Sequence, residues 1–124
     1  MLIELHGREF DWFAIDSEGS LALFATAGEG FIPQSASDCF SKHDAISESL
    51  LAPHVGTTQV WSDYAAQGLF VFDWSLPSGP YKKCVNPSVS IAQDLKSKIM
   101  SIANLPTFSG SFKTLNKLTQ WPTT

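Results

Sequence analysis

The run Phe10-Asp-Trp-Phe-Ala-Ile-Asp16, then Ser17-Glu-Gly19, then Ser20-Leu-Ala-Leu-Phe-Ala-Thr26 decides how this chain folds. Two stretches rich in aromatic and aliphatic side chains flank a short polar stretch ending in glycine. An antiparallel β-hairpin with a loop of about three or four residues has this form, and Gly19 can take the positive φ such a loop needs at little cost. Neither run alternates cleanly. Phe10, Trp12 and Ala14 oppose Phe13 and Ile15, while Leu21, Leu23 and Ala25 oppose Ala22 and Phe24. A strand apolar on both sides is ordinarily central and covered on both faces. The hairpin is therefore expected to seed a small sheet with material packed above and below it.

Working outward, Leu2 to Leu5 reads as a short strand and His6-Gly7 as a turn into the hairpin. Ala27-Gly28-Glu29-Gly30 is a flexible exit ended by Pro33. It lacks the Lys-Ser/Thr of a nucleotide loop and reads as a structural turn. Ser35 to Asp38 offers caps for a helix running to about Leu51. On it Cys39, His43, Ile46 and Leu50 share one face, and Ser41, Asp44 and Glu48 form the wet one. His43 on the apolar stripe is expected to be a hydrogen-bonded core histidine.

Val60 to Gln67 suits a short helix carrying Trp61 and Tyr64, with Gly68 ending it in the left-handed conformation. Leu69 to Trp74 is a third strand, apolar on both faces, and Tyr81 to Val85 returns as its partner after a turn at Ser75–Pro80. Lys82 and Lys83 suit an edge protected from unwanted pairing. A helix begins near Ser90, with Gln93 completing a capping box and Ile91, Leu95, Ile99 and Ile102 on one face, and stops at Asn104-Leu105-Pro106. Phe112, Leu115, Leu118 and Trp121 suggest one short helix packing back on the sheet. The expected fold is a single α+β domain over residues 1–124. It has a mostly antiparallel sheet of four to five strands, two main helices and one or two short ones.

At 124 residues, with 44% apolar and 16% charged residues, the chain can bury a core without a disulfide or metal staple. No secretory pattern opens it and no run is long enough to span a membrane, so a cytoplasmic location is expected. Cys39 and Cys84, far apart and without Cys-x-x-Cys spacing, read as free thiols. The net charge of −4 argues against nucleic acid as a direct ligand. Its distribution says more. Residues 1–73 hold eleven of the twelve acids against Arg8 and Lys42, a balance of −9, whereas residues 74–124 hold Asp94 against six lysines, a balance of +5. Either folding interleaves the two halves, or an acidic face is left for a basic partner.

Little catalytic chemistry is written in the chain. His6, His43 and His54 lack the spacing that lets two imidazoles grip one zinc ion, and there is no Gly-x-Ser-x-Gly. Neither metal nor cofactor is expected. Asp11, Asp16 and Asp73 could gather at strand ends as paired carboxylates or a metal site, although turn and edge residues are the commoner role for such aspartates.

Asp11-Trp-Phe-Ala-Ile-Asp16-x-x-Gly19, Leu23-Phe24 and Gly28-x-Gly30-x-x-Pro33 resemble the opening of a group of small bacterial proteins. Gly68-Leu-Phe-Val-Phe-Asp-Trp74 and Ser78-Gly-Pro-Tyr81 resemble that group's second half, so the resemblance spans roughly residues 10–87. The group includes immunity proteins of polymorphic-toxin and contact-dependent growth inhibition systems. The resemblance implies a non-catalytic protein that binds and occludes a cognate toxin domain, for instance a nuclease. It carries no binding residue over by motif. The charge distribution instead puts Glu18, Glu29, Asp38, Asp44, Glu48 and Asp63 on the face that meets a basic toxin, with Trp61 and Tyr64 as anchors. The alternatives are a small enzyme using strand-end carboxylates and a regulatory protein-interaction module.

Overall fold

The computed structural model describes residues 9–122. The expected strand at Leu2–Leu5 lies outside them. The hairpin forms as β1 (Asp11–Ile15) and β2 (Leu21–Ala25), with Gly19 at φ 81° in the turn between them. There follow α1 (Gln34–Asp38), α2 (Phe40–Ser49), α3 (Val60–Ala65), β3 (Phe70–Trp74), β4 (Tyr81–Val85), α4 (Gln93–Met100) and β5 (Lys117–Leu118). The five strands make one mixed sheet in the order β1-β2-β3-β4-β5, with β2–β3 parallel and the other pairings antiparallel. The architecture is α+β, with α2 and α4 as the longer helices.

The sheet is buried on both faces, and the two coverings differ. On one face Trp12, Phe24 and Phe72 stand opposite one another across three strands. Their rings stack at 4.3 and 4.8 Å between centroids, each pair within 9° of parallel. Tyr81 and Phe112 meet this ladder edge-on or tilted. Phe31, Phe108 and Trp121 complete a layer built from irregular chain. The Trp12 indole donates to the Tyr81 hydroxyl (3.1 Å), which donates in turn to the Phe31 carbonyl (2.8 Å), so both polar ends of these buried rings are satisfied. Gly30 allows this approach, because a Cβ there would stand 2.5 Å from the Tyr81 oxygen. On the other face Phe13, Leu21, Leu23 and Val71 pack under Ile46 of α2 and Leu50 just after it, Val60 and Tyr64 of α3, and Ile99 of α4.

Several local expectations are corrected. β1 is not central. It lies at one end of the strand order, and its outer edge is covered from elsewhere in the chain. The Phe13 N–H donates to His43 Nδ1 (3.0 Å), the Ile15 N–H to the Pro106 carbonyl (3.0 Å), and the Phe108 N–H to the Ile15 carbonyl (2.8 Å). An edge strand covered in this way is as apolar as a central one. His43, fully buried, is the hydrogen-bonded core histidine expected.

The helix expected from Ser35 to about Leu51 is two helices, interrupted at Cys39 (φ −114°, ψ 32°), and Ser35–Asp38 lies inside the first instead of capping it. α4 starts at Gln93 behind Ala92 without a side-chain cap, so the capping box does not form. Lys82 is not on a free edge, because β5 pairs with Tyr81 and Lys82. The tail expected to be helical makes a turn at 112–114 and then β5. Its apolar residues recur every third position because they drop onto the aromatic ladder one by one from extended and turning chain. Gly68 does end α3 at φ 93°, and a Cβ there would collide with Ile91. Cys39 and Cys84 are free thiols. No helix of the described residues is long and apolar enough to cross a membrane.

Candidate functional site

The pairing of the first three strands places Asp11, Ala25 and Asp73 in one row. Asp11 is opposite Ala25, and Ala25 is opposite Asp73. Cross-strand partners share a face, so both carboxylates rise on the helix-covered side of the sheet with a small residue between them. α2 and α3 do not close over this end. They leave a cleft of about 460 Å³ whose lining includes Glu9, Asp11, Ala25, Asp73, Trp61 and Tyr64. A second lobe of about 420 Å³, lined in part by Asp44, Ser47 and Glu48 of α2, shares Glu9, Asp11, Val55 and Tyr64 with the first. No Lys or Arg is among the described residues that line either lobe. Lys82, the register neighbour of Asp73 on β4, is exposed outside them.

The electrostatics follow from this placement. Burial raises the Asp11 carboxyl to about 6. Glu9, Asp44 and Asp73 add to the shift, and the Ser47 hydroxyl, donating to Asp11 Oδ2 at 2.9 Å, opposes it. Burial likewise raises Asp73, with Glu9 contributing and the Trp74 backbone opposing. The Tyr64 phenol is pushed up to about 12 by burial and by the charges of Asp11, Asp63 and Glu48.

The wall over the cleft is the loop 53–59, closed by a clasp onto α3. His54 Nδ1 meets Asp63 Oδ1 at 2.8 Å, and the His54 N–H donates to Asp63 Oδ2 at 2.8 Å. Desolvation would raise the Asp63 carboxyl, but the His54 contacts outweigh it and hold the group below its ordinary value. Val55, at the tip of this loop, is 73% exposed, while Trp61 and Tyr64 stand beside each other with ring centroids 6.3 Å apart.

Of the residues expected to meet a partner, Asp44, Glu48, Trp61 and Tyr64 line this cleft, and Asp63 braces its wall. Glu18, Glu29 and Asp38 do not line it. Glu18 sits in the hairpin turn at the opposite end of β1 and accepts from the Ser111 hydroxyl. Glu29 is exposed in the turn after β2, and Asp38 at the end of α1 accepts from Gln34 (2.8 Å). The trio Asp11, Asp16 and Asp73 is also divided. Asp16 is buried at the far end of β1, where Oδ1 accepts from the Glu18 and Ser20 N–H groups (2.9 and 2.8 Å) and Oδ2 from the Phe112 N–H (2.8 Å). Among the described residues no group of three or more His, Cys, Asp or Glu is placed to hold a metal ion.

Three lining acids, Glu9, Asp11 and Asp73, were absent from the expected contact face. One signal for two of them was present: the triplet Phe-Asp-Trp occurs at 10–12 and again at 72–74, each time putting an aspartate into an otherwise apolar strand.

No protein-family model matches the chain, and neither a curated protein nor a solved structure matches it.

Proposed function

We propose that the chain is a non-catalytic binding protein that neutralises a basic protein domain, in the manner of the bacterial immunity proteins its hairpin motifs resemble. One observation carries this: a cleft walled by Trp61, Tyr64 and the exposed Val55 in which Glu9, Asp11, Glu48 and Asp73 gather with no basic residue among the described lining. Carboxylates grouped around an aromatic wall favour a cationic protein surface in two ways. Their field speeds the encounter, and the aromatic side chains supply the contact area that holds the complex. A toxin domain that acts on nucleic acid carries such a cationic surface at its own substrate groove, and covering that groove would silence it.

The test is co-expression with the product of a neighbouring toxin gene. The expected result is a stable complex and protection of the producing cell, with association slowing as salt rises. Absence of both complex and protection would refute the reading.

A second reading draws on Asp11. A carboxyl raised to about 6 beside another carboxylate is suited to general acid catalysis. A small enzyme working through Asp11 would lose turnover in Asp11→Asn while still binding its substrate, whereas a binding protein has no turnover to lose.

A further inference from the structure

The contact can be narrowed from a face to a group; this step rests on the binding reading above. Strands are spaced about 4.8 Å apart, so Asp11 and Asp73, with β2 between them, stand about 10 Å apart at their Cα atoms. Two carboxylates at that separation have no third metal-ligating side chain placed with them among the described residues. They can reach the opposite edges of a broader, planar cation lying over the small side chain of Ala25. Ala25 and Ala27 keep the floor low, and Trp61 and Tyr64 rise beside it. We infer that the cleft takes the guanidinium of one arginine projecting from the partner, held between Asp11 and Asp73 with its stem against Trp61 and Tyr64. Arginine fits better than lysine, because a planar fork can meet two carboxylates at once and stack on an aromatic wall.

The charges around Asp11 support this. Glu9, two residues before β1, Asp44 of α2 and Asp73 of β3 bear on the Asp11 carboxyl. Asp11, Glu48 of α2 and Asp63 of α3 bear together on the neutral Tyr64 phenol, and Lys82 of β4 stands opposite Asp73 in register. Among the described residues Ser47 is the hydrogen-bond donor to the Asp11 carboxyl. Burial and its acidic neighbours keep a proton on this carboxyl to about pH 6. An arriving cation reverses that balance, so docking expels the proton and strengthens as pH rises from 5 to 7.

The probe is the peptide acetyl-Gly-Arg-Gly-amide. Its control is the same peptide with citrulline, which keeps the shape and loses the charge. Both are titrated into the ¹⁵N-labelled protein. The expected result is that the arginine peptide shifts the Ala25 and Asp73 amides and the Trp61 indole signal. The citrulline peptide should leave them in place. Asp11→Asn or Asp73→Asn should weaken the effect by about tenfold or more, as should Trp61→Leu if either aspartate variant fails to fold.

Equal binding in the variants, shifts scattered over the rest of the surface, or no shift at all would overturn the inference. A cognate toxin bound equally well by Asp11→Asn and Asp73→Asn would also overturn it and leave the proposed function standing. Arginine binding in the cleft without toxin neutralisation would do the reverse.

Discussion

The two aspartates that bracket β1 are chemically the same residue put to opposite uses. Asp16 is 4% exposed and accepts three backbone N–H bonds that tie the hairpin turn to the chain at Phe112, ninety-six residues on. Asp11 accepts one hydroxyl, faces Glu9, Asp44 and Asp73, and opens onto a cleft. A buried carboxylate surrounded by N–H donors has its charge dispersed and stabilises the fold. One surrounded by other acids stores an unfavourable interaction that a cation from outside can relieve. Proteins tolerate such sites where they bind something, at a cost to their own stability. On the proposed function the Asp11 end of the sheet is the binding end, and the Asp16 end is the fastening.

The largest test of that contrast is Asp16→Ala. It strands three N–H groups where water has little access and should cost about 3–5 kcal/mol, read as a lower midpoint in denaturant. Asp16→Asn, which keeps an acceptor oxygen, should lose less. A loss under about 1 kcal/mol in the alanine variant would mean that the far end of β1 is held by something else.

Next in size is an acid transition belonging to His43. Its Nδ1 accepts the Phe13 N–H, so the neutral ring carries its proton on Nε2, and burial lowers its pKa from 6.5 to about 4. The unfolded chain takes up a proton first as pH falls. The stability held by neutral His43 is therefore complete above about pH 6.5 and is lost as pH falls towards 4, a change of about 3 kcal/mol.

Asp11 has the opposite sign. Its folded pKa of about 6 lies above the ordinary 3.8. The folded state thus holds the extra proton, and its contribution is present at low pH and lost as pH rises through 6. The open side of the cleft lets solvent reduce this to about 1–2 kcal/mol. Between pH 4 and 6 the two groups pull against each other and the parent should lose little stability. Asp11→Asn should be more stable than the parent by about 1–2 kcal/mol at pH 8 and should show a steeper acid loss, since Asp11 no longer opposes His43. Melts across pH 4–8 decide this. A destabilised Asp11→Asn at pH 8 would place Asp11 with Asp16 as a fastening residue.

The smallest expected effect on the fold is that of Glu48→Lys, an exposed position on α2 at the rim of the second lobe. Its melting should stay within about 0.5 kcal/mol of the parent, while association with a cationic partner should slow and lose part of its salt dependence. An unchanged rate would confine the working contact to the first lobe.

What the sequence determined by itself was local. The hairpin at residues 10–26, the strand at 69–74 and its return at 81–85 follow from short apolar runs bounded by glycine and proline, and Gly68 stops α3 because other residues resist its φ. Even the burial of His43 was legible, because it interrupts a stripe of apolar residues at helical spacing. The tail was misread because a three-residue recurrence looks alike whether a helix presents it or irregular chain lays each ring on a sheet in turn. β1 looked central because coverage of an edge by His43 and residues 106–108 leaves no mark in β1 itself. The cleft was beyond reach for the same reason. Which acids meet depends on strand register and order, and the parallel pairing of β2 with β3 brings residues 11, 25 and 73 into one row across forty-seven residues of intervening chain. Periodicity reports which side of its own strand a residue faces. Its neighbours across the sheet are settled by the pairing and by the helices that pack over it, which is why only the tertiary structure set Asp11 beside Asp73 and sent Asp16 to the opposite end.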